Sequence, residues 1–314
     1  NQAKCGVVGY NTDMESFHLF KPCGDHLVAH LYEHLVMQTL HRQLFEAGLF
    51  QTIDYQAYGI VYSDAGVMGI DATLYTMQAE RFVAQLRQPV AEYDDAMIDC
   101  ALRQIIAEKG YPLTYHDRLA LHEALHQLDT EPWYDAQDID VLQCLGETAP
   151  RGIIAQREEW EADVMEYTID ISIDLEPGDP QAVVFIELAH AIQANTAALL
   201  QRTYGYYNHG YDREYTSGRY TQRQYLLVTG REDHSAQVYN LYELMIRMIR
   251  AQGGWQRLLE RLQTVDYREQ SAPSIVSMID DLRMVVGARG WRRIATAETV
   301  DDLLDRLTIT VVAQ

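Results

Sequence analysis

The hydrophobic positions of the first half of the chain recur with two different spacings. In residues 25–40 and 93–109 the apolar side chains lie three and four positions apart, which predicts a helix in each segment. The second helix is expected to end where Gly110 and Pro112 follow. Between these helices, residues 53–75 alternate and contain three glycines, so they predict a β-hairpin.

The second half predicts a similar succession of strands and helices. Alternation predicts strands at residues 167–175 and 308–312, and helical spacing predicts helices at residues 182–201, 238–251, 280–286 and 300–307. Turn-forming and charged residues place a boundary near residues 146–161. We therefore predict an α+β protein with two similar-sized, α/β-sandwich-like domains, residues 1–155 and 156–314, each a sheet with helices packed on it.

Composition excludes several classes of function. The chain has 314 residues, with 46 acidic residues against 25 Lys and Arg and a net charge of -21, so we expect neither nucleic acid nor an anionic membrane as a partner. No uninterrupted apolar run approaches the length of a membrane span. The four cysteines include no C-x-x-C pair, which favours a reducing compartment and a cytoplasmic location.

The first predicted helix carries the sequence His30-Leu-Tyr-Glu33-His34, which has the spacing H-x-x-E-H. Residues four apart lie on one face of a helix, so both imidazoles can bind one Zn²⁺. Glu33 shares that stripe and is placed to take a proton from a water on the metal. This pattern predicts a metallopeptidase site.

A second sequence, His122-Glu123-Ala-Leu-His126, has the more common spacing H-E-x-x-H. Spacing alone does not separate the two motifs. On a helix over residues 117–129, however, His122 and His126 share a polar face opposite three leucines, which is typical of a solvated face. A peptidase that uses His122, Glu123 and His126 therefore stays open as an alternative.

Glu108 is the candidate third ligand for the first motif. It falls on the apolar stripe of the helix predicted at residues 93–109, seven positions after Ala101. A carboxylate on an apolar face needs a cation, a hydrogen bond or a metal, because burial of an unpaired charge costs several kcal/mol. The alternative is that the helix ends here and Glu108 turns to solvent.

His30-x-x-Glu33-His34 followed by Glu108 resembles the pitrilysin, insulinase and mitochondrial processing peptidase family of zinc metallopeptidases. The order strand, metal helix, strand pair, long helix, ligand helix is similar as well. The resemblance implies that His30, His34 and Glu108 are zinc ligands and that Glu33 is the general base. It also implies that the two domains form one half of a clamshell.

The resemblance extends to the second domain, where the family carries an arginine and a tyrosine that contact the substrate. Arg202, at the end of the segment 182–201, matches the arginine. Several tyrosines follow it within a few residues, and Tyr206 and Tyr211 are our candidates, with Tyr207 between them. The resemblance implies a peptide substrate held in an enclosed chamber, and a partner chain that completes the clamshell, either a second copy or a related subunit.

Together these features predict a zinc-dependent endopeptidase that cleaves peptides or unfolded or leader segments. A hypothesis from another class is a non-catalytic binding or assembly subunit of a heterodimeric peptidase. The intact set of His30, Glu33, His34 and Glu108 favours the enzyme.

Overall fold

The computed structural model describes most of the regular elements of the chain. The residues described are 14–22, 25–46, 56–62, 67–75, 93–135, 152–157, 161–176, 178–251, 259 and 291–314. The strands are β1 (Met14–Pro22), β2 (Gln56–Tyr62), β3 (Val67–Tyr75), β4 (Leu113–Tyr115), β5 (Tyr134–Asp135), β6 (Ile154–Gln156), β7 (Val164–Asp174), β8 (Tyr207–Thr216), β9 (Arg219–Thr229) and β10 (Thr308–Ala313). The helices are α1 (His26–Glu46), α2 (Asp95–Lys109), α3 (Arg118–Thr130), α4 (Gln181–Tyr204), α5 (Ser235–Ala251), α6 (Trp291–Ile294) and α7 (Ala297–Arg306).

The first half contains an antiparallel sheet of order β2-β3-β1-β5. β2 and β3 form the predicted hairpin, with Tyr62 opposite Val67, and β3 pairs along the whole of β1. α1 contacts β2 and β3 as well as α2, α3 and α4, so it is enclosed by other elements on several sides. This enclosure explains why polar residues of α1 are buried along with the apolar ones.

The helices of the first half share one hydrophobic cluster. Leu31 and Leu35 of α1 and Ile105 of α2 are fully buried in it, and Leu121 and Leu125 bring α3 against the same cluster. The helix ends follow ordinary capping rules. Carboxylates at positions 25, 94 and 117 accept hydrogen bonds from the first turns of α1, α2 and α3, and Gly110 ends α2 with a left-handed backbone at φ 72°.

The second half contains an antiparallel sheet of order β10-β7-β9-β8. Here α4, α5 and α7 pack in a cluster with the buried side chains of β7 and β9. The strands predicted at 167–175 and 308–312 correspond to β7 and β10, and the helices predicted at 182–201, 238–251 and 300–307 correspond to α4, α5 and α7. The helix predicted at 280–286 lies outside the described residues.

α4 is long and apolar enough to cross a membrane by length and composition alone, although 72% of its apolar window is buried inside the structure. No uninterrupted apolar run marks this helix in the sequence, because polar residues are scattered along it. Its buried side chains contact the sheet of the second half, as those of a core helix do.

The α+β fold class is confirmed, since both sheets carry packed helices. One hydrophobic cluster consists of residues between 28 and 154, and the other of residues between 167 and 309. The boundary near residue 155 and the clamshell arrangement stay predictions.

Candidate metal centre

α1 and α2 bring the three predicted ligands together. His30 Nε2 lies 3.0 Å from Glu108 Oε2, and His34 Nε2 lies 3.5 Å from the same oxygen. The two imidazole nitrogens are 3.2 Å apart. These residues form the one group of three metal-binding side chains within the described ranges, with ligand atoms inside 4.8 Å of one another.

These separations fit a zinc site. Ligand bonds of about 2.0–2.1 Å in a tetrahedral site place neighbouring ligand atoms about 3.3–3.4 Å apart. The observed separations of 3.0, 3.2 and 3.5 Å bracket that value. Two imidazoles and one carboxylate are also a ligand set that zinc peptidases use. His30, His34 and Glu108 are therefore the residues that would hold the ion.

The alternative reading for Glu108, that it turns to solvent, is not what the structure shows. Its side chain is 19% exposed, and Oε1 accepts from Lys109 Nζ at 2.8 Å while Oε2 faces the imidazoles. Burial raises the pKa of Glu108, but hydrogen bonds with His30 and His34 outweigh burial and hold that pKa far below its usual range. Glu108 is consequently anionic, as a carboxylate ligand of a metal would be.

The two histidines differ in their surroundings. Burial lowers the pKa of His30 and is only partly offset by the hydrogen bond with Glu108. For His34, burial acts in the same direction, but the hydrogen bond with Glu108 and the charge of Glu33 outweigh it and raise the pKa. His34 Nδ1 lies 2.6 Å from Gln104 Oε1, whereas His30 Nδ1 is buried with no hydrogen-bond partner among the described residues.

Glu33 lies beside the ligand atoms. Its Oε2 is 3.9 Å from His30 Nε2, and its side chain is 13% exposed. Burial, offset in part by the nearby His34, raises the pKa of Glu33 to about 7. A carboxylate with a pKa near neutrality is suited to accept and return a proton.

The rival motif lies on the outer face of α3. His122 Nε2 contacts Asp95 Oδ1 at 3.4 Å, and Arg118 pairs with the same carboxylate. Glu123 and His126 are exposed. Within the described residues no cluster of three ligands forms around this motif, which matches the solvated face that its pattern indicates.

The structure places the candidate substrate-contacting residues at different depths. Tyr206 is 3% exposed and packs against Tyr167, with ring centroids 5.7 Å apart. Tyr211 lies against His190, with centroids 5.1 Å apart, and accepts a hydrogen bond from Gln224. The role of both tyrosines as substrate contacts stays a prediction.

Tyr207 lies beside the candidate metal-binding group. Its ring centroid is 6.3 Å from that of His34. Burial, together with the charges of Glu108 and Glu33, raises its pKa to about 12, so its hydroxyl stays protonated. Because α4 leads directly into β8, Tyr207 begins β8 at this site.

Arg202 lies in the last turn of α4, next to the junction with α2. The backbone carbonyl of Arg202 is 3.5 Å from Cys100 Sγ, and that of Gln201 accepts from Gln104 at 2.6 Å. The sequence did not single out Tyr207 as the tyrosine that contacts His34. The contact of Gln104 with His34 was not predicted at all. The signal for Gln104 was its place on the apolar stripe of α2, four residues before Glu108, where a polar group needs a partner.

No family model and no curated protein matches the chain. Comparison with solved structures finds 105 matching chains. These matches include insulinase-family proteases. A predicted insulinase family protease from Yersinia pestis is 13% identical, with a TM-score of 0.30, and the match covers 96% of this chain and 86% of that one.

Two longer proteases match in the same way. Pitrilysin is 10% identical, with a TM-score of 0.29, and the match covers 96% of this chain and 40% of pitrilysin. The ferredoxin protease FusC, in complex with Arabidopsis ferredoxin, is 13% identical, with a TM-score of 0.25 and coverage of 96% and 42%. The chain thus spans less than half the length of these two proteins. TM-scores this low say nothing about individual residues, so the roles of the side chains rest on their own contacts.

Proposed function

We propose that the chain is a zinc-dependent endopeptidase acting on peptides or unfolded protein segments. The observation that supports this proposal is the convergence of His30, His34 and Glu108 within 4.8 Å, with Glu33 at their edge. Zinc, when bound by three such ligands, supplies a Lewis acid for the scissile carbonyl and an activated water. The residues of the chain would do the remainder of the chemistry.

Glu33 would act as the proton carrier. Its carboxylate, beside but not among the ligand atoms, would accept the proton of the attacking water and deliver it to the leaving amine. A pKa raised to about 7 suits both steps, because the group releases the proton as readily as it takes it.

Tyr207 would donate a hydrogen bond to the oxygen that gains charge during the attack. Its hydroxyl is protonated at neutral pH, and its ring lies next to His34. A donor placed in advance at such an oxygen typically contributes 10²–10³-fold to the rate, roughly. Arg202, at the same junction of α2 and α4, would hold the substrate backbone, with Tyr206 and Tyr211 as further candidates.

The substrate class we propose is an extended peptide or a locally unfolded protein. The FusC structure, which matches this chain only at low TM-score, holds ferredoxin, a protein. Whether this chain encloses its substrate in a chamber with a second copy or with a related subunit stays a proposal, as does a cytoplasmic location. Tyr207 comes from the same chain as the metal ligands, so one contact to the reacting group needs no partner.

The test compares Glu33→Gln with Glu123→Gln. Each purified protein is assayed for zinc by elemental analysis and for cleavage of an unstructured protein and a peptide library, with and without a chelator. We expect Glu33→Gln to keep zinc and lose cleavage, and Glu123→Gln to match the wild type. Loss of cleavage in Glu123→Gln alone would instead support the rival motif. A wild-type protein that binds no zinc and cleaves nothing would support the non-catalytic subunit.

A further inference from the structure

Gln104 connects the metal centre to the second half of the chain. The side chain is 2% exposed and lies between α1 and α4. Its Oε1 is 2.6 Å from His34 Nδ1, and its Nε2 donates to the backbone carbonyl of Gln201 at 2.6 Å. Both polar atoms of the Gln104 amide therefore form hydrogen bonds, one with a candidate metal ligand and one with the last turn of a helix.

The contact with Gln201 fixes the direction of the Gln104 amide. A carbonyl oxygen only accepts, so the atom facing Gln201 must be the NH₂ group and the atom facing His34 must be the oxygen. An oxygen at that position requires a proton on His34 Nδ1. The imidazolium of His34 also donates to Glu108, but in a neutral imidazole the Gln104 contact leaves the lone pair on Nε2, which faces His30 and Glu108.

The acceptor itself is held firmly. The Gln201 carbonyl also receives Gly205 N–H at 3.1 Å and Cys100 S–H at 3.2 Å. Gly205 has a left-handed backbone at φ 76°, and a Cβ at this position would lie 3.1 Å from the Cys100 carbonyl and 3.2 Å from Arg103 Cβ. Glycine thus permits the close approach of α4 to α2 that the Gln104 hydrogen bond needs.

We propose that Gln104 is a positioning residue that keeps the proton of neutral His34 on Nδ1. Its amide also links the His34 imidazole to the last turn of α4. His30 lacks an equivalent partner on its Nδ1 among the described residues, so the orienting bond is specific to one of the two imidazoles. The effect of Gln104 on zinc binding rests on the proposed function. The position of the proton on His34 Nδ1 is expected in the metal-free protein as well. Partners of metal-binding histidines fix the tautomer, and their loss typically weakens metal binding by about 10–100-fold.

The test uses Gln104→Leu, Gln104→Glu and the control Gln193→Leu in the full chain. Leu removes the acceptor and the donor, while the Gln201 carbonyl keeps Gly205 and Cys100 as donors. Glu restores an acceptor for His34. Gln193 is also fully buried and donates to backbone carbonyls, but its acceptors, Ile169 and Gln222, belong to the sheet of the second half.

Two readouts are taken on each protein. Long-range ¹H–¹⁵N spectra of the metal-free protein at alkaline pH report the tautomer of His34, which is assigned with His34→Ala. Competition with a chromogenic chelator gives the zinc dissociation constant. We expect an Nδ1–H tautomer in the wild type, a mixture in Gln104→Leu, and a dissociation constant about 10–100-fold higher in that variant.

Gln104→Glu should return the dissociation constant to within about threefold of the wild type, and Gln193→Leu should not change it. A Gln104→Leu protein with the wild-type tautomer and affinity would overturn the inference, and so would equal weakening by Leu and Glu. If the wild type binds no zinc, the proposed function fails, whereas the spectra still decide whether Gln104 sets the proton.

Discussion

Replacement of Glu33 by glutamine should change how the stability of the metal-free protein depends on pH. Burial of the Glu33 carboxyl, with a side chain 13% exposed, raises its pKa from 4.5 to about 7. Between these two values the folded protein binds a proton that the unfolded chain does not. The free energy of unfolding of the wild type therefore falls as pH rises through this window.

The size of the effect follows from the shift. The change in pKa from 4.5 to about 7 corresponds to about 3 kcal/mol. Glutamine does not ionise, so Glu33→Gln should match the wild type near pH 4 and exceed its stability by about 3 kcal/mol above pH 7. His30 and Glu108 titrate in both proteins, whereas loss of the Glu33 charge should lower the pKa of His34 in Glu33→Gln.

Urea unfolding with a chelator present, followed by circular dichroism from about pH 4 to about pH 8, measures this difference. Glu33→Ala also lacks the ionisable group, so its curve should run parallel to that of Glu33→Gln and lie below it by the cost of the cavity. A difference between Glu33→Gln and the wild type that stays constant to within about 1 kcal/mol over the window would refute the reasoning.

Three further predictions concern the metal and the packing around it. Zinc at about a hundred times its dissociation constant should stabilise the wild type by about 2.7 kcal/mol in thermal unfolding. His34→Ala should lose this stabilisation by zinc, and the control His126→Ala should keep it. Lys21→Met should lower the free energy of unfolding in urea by about 2–4 kcal/mol. Lys21 Nζ is buried and donates to the Leu128 carbonyl at 2.6 Å and to Tyr32 at 3.1 Å, and methionine makes neither bond. An unchanged urea midpoint would contradict this prediction. Gly205→Ala should cost at least about 1–2 kcal/mol in the same assay, because its φ is 76° and a Cβ would crowd Cys100. Gly152→Ala, with a similar φ of 87° and no described atom within 4 Å of its Cβ, should show the backbone cost alone.

The elements that sequence reasoning predicted are those whose signal repeats within one segment. The spacing of apolar residues located α1, α2, α4, α5 and α7, and alternation located the hairpin of β2 and β3. The extension of α1 from residue 40 to Glu46 was missed, since the apolar pattern weakens there and the end of a helix depends on what it packs against. The order of the strands depends on pairing between distant segments, which leaves no periodic trace in the sequence.

The residues of the candidate site also differ in how far the sequence alone predicts them. Glu108 could be predicted because a carboxylate on an apolar stripe requires a partner, and the same rule applies to Gln104, which is buried on that helix. The rule does not identify the partner. The acceptor of the Gln104 amide is 97 residues away in sequence, and Tyr207 reaches His34 only because α4 ends against α2.

Packing also explains why one of two similar motifs forms a three-ligand group. His30 with His34 and His122 with His126 have the same four-residue spacing, so the motif itself does not distinguish them. α1 faces α2 across a buried contact, where Glu108 meets both imidazoles. His122 instead meets the half-exposed Asp95, and His126 faces solvent. A second helix that supplies a partly buried carboxylate opposite the histidines is therefore what distinguishes the His30–His34 motif. Gln104 on that helix also joins His34 to α4.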